Sequence, residues 1–139
     1  MFVTEAIVVV VDDKPIINLT VVGVPEAQAR MRARRVRNRV IMFDPSAPSK
    51  RKCQKSIADA LSEVGVATQP IFVREKVALN IVFHVTNIRK DVDNMLKYIL
   101  DVLQGVVYHN DAAVFKVTAA KIHCRNKKDQ KTTMEIESF

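Results

Sequence analysis

The ten residues from Val77 to Thr86 (VALNIVFHVT) restrict this chain's fold more than any other stretch. Apolar side chains recur at every second position: Val77, Leu79, Ile81, Phe83 and Val85. A period of two is that of a strand with one face on a core and the other toward water. His84 falls on the second face and reads as a surface residue. After a polar link from Asn87 to Lys90 the period changes. At 100° per residue, Val92, Met95, Leu96, Ile99, Leu100, Val102 and Leu103 share an arc of roughly 160°, which predicts a helix over Val92–Leu103.

The other elements follow from composition and punctuation. Ala6–Val11 (AIVVVV) and Ile16–Gly23 are strand candidates on either side of a turn signal, Asp12-Asp13-Lys14-Pro15, so a hairpin is the economical reading. Ala6–Val11 is apolar almost throughout, which suits a strand covered on both faces or paired with another subunit. Val40–Phe43 is a short strand. Ser46–Val64 reads as a helix, with Pro48 in its first turn, a stripe of Cys53, Ile57, Ala60, Leu61 and Val64, and Gly65 at its stop. Ala113–Cys124 and Thr132–Ile136 are the last strands. One domain, 1–139, is expected: a small α/β (α+β) unit with a mixed, mainly antiparallel sheet of four to five strands and two main helices.

Charge narrows the partner. The chain has 22 Lys+Arg against 15 Asp+Glu, a net charge of +7, which favours nucleic acid first and an anionic membrane surface second. Arg30, Arg32, Arg34, Arg35, Arg37 and Arg39 crowd one stretch, and alternation at 30, 32 and 34 puts three guanidinium groups on one side of an extended segment. Such forks suit phosphate oxygens, although a solvated basic loop has the same composition. Lys50, Lys52, Arg89 and Lys90 join Arg30, Arg32, Arg34 and Arg35 as candidate DNA contacts. No apolar run approaches the ~20 residues that span a bilayer. The apolar N-terminus reads as a strand and not a signal peptide. The two cysteines, Cys53 and Cys124, make no disulfide framework or zinc pair, so an intracellular protein with reduced thiols is expected.

The chemistry concentrates between Arg89 and Asp111. Opposite the apolar stripe, Asp93, Asn94, Lys97 and Asp101 share an arc of about 100°, with Asp91 at the expected N-cap. A short strand can retrace the ~18 Å rise of the helix, which makes convergence of Asp111 with Asp91 and Asp93 geometrically possible. Clustered carboxylates hold Mg²⁺ or Mn²⁺, and a neighbouring lysine suits work on phosphate. On spacing alone, the same residues also read as a helix cap, a surface i,i+4 pair and a turn residue. No Ser-His-Asp, HExxH, phosphate-loop or EF-hand pattern competes.

The linked pattern resembles a known family. Asp91-Val92-Asp93-Asn94, then Lys97, then Asp101-Val102-Leu103-Gln104-Gly105 and finally Asn110-Asp111 is similar to the core motif of RusA-type Holliday-junction resolvases. Gly23-Val24-Pro25 with Gln28, Arg30 and Arg32, and the step Phe43-Asp44-Pro45, resemble its N-terminal motifs. Asn110 stands where that pattern has the first acid of a pair. The resemblance implies a homodimer that binds branched DNA and cuts two strands of a four-way junction symmetrically. It implies Mg²⁺ (Mn²⁺ as substitute) and no small-molecule cofactor. It makes Asp91, Asp93 and Asp111 the metal-binding acids and Lys97 the catalytic lysine. The rival expectations are a non-enzymatic basic nucleic-acid-binding module and a nuclease for flaps or other branches.

Overall fold

Asp12 and Asp13 adopt positive φ, 51° and 61°, and turn Val3–Val11 (β1) back along Lys14–Val22 (β2). Aspartate tolerates the left-handed region, and two such residues in succession match the right-handed twist of a tight hairpin. Lys14 and Pro15, expected in the turn, already belong to β2. The computed structural model describes residues 2–139. The remaining elements are Arg32–Val36 (β3), Arg39–Phe43 (β4), Ala47–Glu63 (α1), Val77–Val85 (β5), Val92–Val102 (α2), Val114–His123 (β6) and Lys131–Ser138 (β7).

Five strands form one sheet in the order β1-β2-β7-β5-β6, and β3 and β4 form a separate ribbon. Every neighbouring pair is antiparallel except β5 and β6, which run parallel. This is the mixed, mainly antiparallel α+β sheet that the sequence predicts. The alternation in β5 buries Val77, Leu79, Ile81, Phe83 and Val85. In register beside them on the same face lie Met134 and Ile136 of β7, and then Ile17 and Leu19 of β2. Against this face pack Cys53, Ile57, Ala60 and Leu61 of α1 and Met95, Tyr98, Ile99 and Val102 of α2. The opposite face carries Asn80, Glu135 and Glu137, all exposed.

α1 stops as expected at Gly65, whose φ of 95° permits the left-handed turn that lets Val66 N reach Leu61 O at 3.0 Å. Val64, placed in the buried stripe from sequence, is 46% exposed, because the turn carries it off the core face. No helix is long and apolar enough to cross a membrane among the described residues.

Candidate active site

The link into α2 is held by a lysine from the edge strand. Lys121 sits in register with Phe83, on the helix side of the sheet. Its Nζ donates to the carbonyls of Ile88 at 2.6 Å and Lys90 at 2.8 Å. Asp91 then takes the N-cap position in extended conformation, but its carboxylate caps no backbone amide. Its one side-chain neighbour is Asn94 Nδ2, at 3.5 Å. Asp93 accepts from Asn94 N at 3.0 Å, and Lys97 follows one turn later. All three side chains are exposed, and among the described residues none of them forms an ion pair. The surface Asp93–Lys97 pair is therefore not made. Two carboxylates without a cation at the positive end of a helix dipole fit a divalent ion, since Mg²⁺ is commonly held by one or two carboxylates plus substrate phosphate.

Asp111 lies elsewhere. The expected retracing fails because β6 runs parallel to β5: Val77 pairs with Val114 and Val85 with His123. α2 makes the return journey, so Asp111 precedes β6 at the Val77 end, whereas Asp91 follows β5 beyond Val85. The length of β5 separates them, roughly 25 Å at strand rise. Among the described residues, no group of three or more His, Cys, Asp and Glu is placed to hold a metal ion within the chain. Asn110 serves the local fold, because its Oδ1 accepts from Ala112 N at 2.9 Å and caps the short turn Asp111–Ala113.

The arginine run spreads over the β3–β4 ribbon: Arg30 precedes it, Arg32, Arg34 and Arg35 lie on β3, Arg37 is in the turn and Arg39 opens β4, and both strands are exposed along their whole length. Arg32 pairs with Phe43 and Arg34 with Ile41, and the Arg34 guanidinium carbon lies 5.8 Å from the Phe43 ring centroid. No arginine is in an ion pair among the described residues. The family model of the RusA endodeoxyribonuclease matches residues 22–137. The chain belongs to the RusA family. No curated protein matches it. Members of the RusA family act on branched DNA junctions, and the match begins at the last residue of β2, leaving β1 outside it.

Three of the RusA motif residues meet at a group that sequence reasoning assigned differently. Lys50, expected to contact DNA, turns inward. Its Nζ lies 2.8 Å from Asp44 Oδ2 and 2.8 Å from Asp101 Oδ2, and it also donates to Gln28 Oε1. Gln28 Nε2 donates to Asp44 Oδ1 at 3.1 Å, and Gln28 N donates to Asn94 O at 2.9 Å. Ser46, at the N-cap position of α1, caps no amide with its side chain; its hydroxyl accepts from Ala29 N at 2.9 Å and ties down the ribbon's stem. Burial alone would raise the Asp44 pKa. Hydrogen bonds from Lys50, Ser46 N and Gln28 outweigh burial and lower it to about 2.

Lys90 is also engaged, donating to Pro25 O at 2.6 Å, whereas Arg30, Arg35, Lys52 and Arg89 remain exposed. Tyr98, absent from the predicted apolar stripe, is buried and shares a hydrogen bond of 2.7 Å with Ser49. Its hydroxyl has a partner, so the ring can enter the core. One signal for these anchors was present in the sequence. A lysine at an inward strand position (Lys121) or in line with a helix's apolar stripe (Lys50) implies a polar partner on another element.

Proposed function

We propose that this RusA-family chain is a divalent-metal-dependent endonuclease that resolves four-way DNA junctions by paired nicks. The observation that carries the reading is the mouth of α2, where Asp91 and Asp93 hold exposed carboxylates with no cation and Lys97 stands one turn on. Asp91 and Asp93 would hold Mg²⁺, or Mn²⁺ in its place. Such an ion, when bound, offsets charge on the scissile phosphate and acidifies a water to attack it. Lys97 supplies a positive donor toward the phosphoryl oxygens as negative charge develops. Arg30, Arg32, Arg34 and Arg35 hold the strand backbone through its phosphates.

The third acid comes from a second copy. β6 is an edge strand with one unpaired row of amides and carbonyls, and Phe115 and Ile122 on it are 58% and 47% exposed. Antiparallel pairing of two β6 edges about a two-fold axis near Thr118 brings the start of one strand beside the end of the other. Asp111 of each copy then approaches the Asp91–Asp93 mouth of its partner, giving two equivalent sites for a two-fold substrate.

The test is a synthetic four-way junction incubated with wild type and Asp93→Asn, with and without Mg²⁺. Wild type is expected to make paired nicks only with metal, and Asp93→Asn to bind without cutting, its rate down by roughly a hundredfold or more. Wild type that binds the junction but never cuts it in Mg²⁺ or Mn²⁺ would sink the enzyme reading. Equal cutting of linear duplex would remove the selectivity for junctions.

A further inference from the structure

The ammonium groups of Lys50, Lys55, Lys90 and Lys121 are all engaged by protein oxygens. Three of the lysines that have no such partner among the described residues line one cleft. Lys52 stands on its α1 side and Lys127 and Lys128 on the turn before β7, around a volume of about 670 Å³. Glu26 is the one carboxylate in the lining, and Phe2 and Ser49 contribute as well. The excess over Glu26 is two positive charges.

This cleft is built and not a chance gathering of mobile side chains. Gln130, 5% exposed, accepts from Thr86 N at 3.3 Å and from Thr86 Oγ1 at 3.2 Å. It donates from Nε2 to Lys127 O at 3.2 Å, and its own carbonyl accepts from Gly23 N at 3.1 Å. The Lys127–Asp129 turn is therefore fixed to the ends of β5 and β2. The cleft also lies near the mouth of α2. Val24 and Glu26 form part of its wall, and Pro25 between them accepts the hydrogen bond from Lys90 at 2.6 Å, one residue before Asp91.

We infer that Lys52, Lys127 and Lys128 form a second DNA-backbone site, on the far side of the Gly23–Ala29 segment from Asp91 and Asp93. Its ligand is a run of phosphates on the strand or arm leading away from the cut position. The site is separate from the arginine ribbon, and it rests on the nuclease reading above. The ribbon and this cleft flank the acids, so DNA is gripped on both sides of the nick.

The experiment measures binding of a synthetic four-way junction across a salt series, with chelator present so that nothing is cut. Lys127→Ala/Lys128→Ala is compared with wild type and with Lys14→Glu, which makes the same change in net charge at the first residue of β2, the end of that strand away from the cleft. Each phosphate contact contributes about 0.9 to the slope of log affinity against log salt. The double variant is therefore expected to bind more weakly with a slope shallower by about 2, while Lys14→Glu keeps the wild-type slope. Both lysines are exposed on a short turn, so an unchanged melting temperature shows the fold intact. An unchanged slope in the double variant overturns the cleft alone. An equal loss in Lys14→Glu also overturns it, by reducing the effect to net charge. Wild type that does not bind the junction overturns the nuclease reading and the cleft together.

Discussion

Lys50 sets one positive charge against two carboxylates and an amide oxygen, and its side chain is only 12% exposed. Burial lowers its pKa, but the bonds to Asp101 and Asp44 outweigh this and raise it above 10.5. Asp44 moves the other way, from 3.8 to about 2. A depressed carboxylate contributes stability that is complete above its unfolded pKa and is lost as pH falls through the folded one. The Asp44 contribution, on the order of 2 kcal/mol, should thus disappear between about pH 4 and pH 2. The Lys50 contribution is lost only as pH rises beyond 10.5.

Lys50→Met leaves Asp44 and Asp101 facing each other, half-buried. It is expected to cost about 1–3 kcal/mol at pH 7, less than a fully buried pair because water reaches the site. Denaturant melts of Lys50→Met, Asp44→Asn and the double variant check this: the double should lose less than the sum of the singles, and strict additivity would show that the two groups are not coupled. Charge put Lys50 among the expected DNA contacts, although it sits three residues before Cys53 and seven before Ile57, on the buried face of α1. The residues that claim Lys50 come from three other segments, which only tertiary structure assembles.

Among the elements, the β3–β4 ribbon has the least support of its own. A two-stranded ribbon without a core is marginal in water, and both strands are exposed throughout. Its two stems are what is fixed: Gln28 and Ala29 enter, and Asp44 and Ser46 leave, through the Lys50 network. The ribbon therefore leaves the body at an angle set near Asn94, whose carbonyl binds Gln28 N, beside Asp93.

Arg32→Ala/Arg34→Ala is expected to weaken junction binding and flatten its salt slope by about 2, with little change in melting temperature. A salt titration followed by gel shift measures this, and unchanged affinity at moderate salt would mark the ribbon as an idle basic loop. Alternation at Arg30, Arg32 and Arg34 made the extended form legible. β3 as a strand was not, because arginine is not among the residues enriched in strands and its partner strand begins only two residues on. β5, α1, α2 and β7 were legible because their apolar periods record burial directly.

At the scale of the whole molecule, the direction of one strand decides how the acids can work. The order strand, helix, strand from Val77 to Cys124 was readable, but whether the last strand returns beside the helix or runs on parallel to β5 depends on sheet pairing, which carries no local signature. Parallel pairing takes Asp111 away from Asp91 and Asp93 within a chain, and the proposed two-fold pairing of β6 edges would bring it to the partner's pair. These two arrangements make opposite predictions for mixed dimers. Asp93→Asn and Asp111→Asn homodimers are each expected to be inactive. In a heterodimer of the two, one site combines both defects and the other combines none.

Co-refolding equal amounts of the two variants should therefore restore roughly a quarter of wild-type sites, since half the dimers are mixed and each holds one intact site. Those dimers should nick one strand and make few paired cuts, which a junction labelled on both cleavable strands reports. If each site lay within a single chain, every chain in the mixture would stay defective, and no nicking would return even where mass measurement shows heterodimers present. Val117→Pro tests the same surface independently. Cys124 N donates to Val85 O, so by the alternation of β6 the Val117 amide points away from β5, and proline there removes a donor on the free edge alone; the variant should shift the chain toward monomer in light scattering and lose cutting, while the Lys127–Lys128 cleft stays intact.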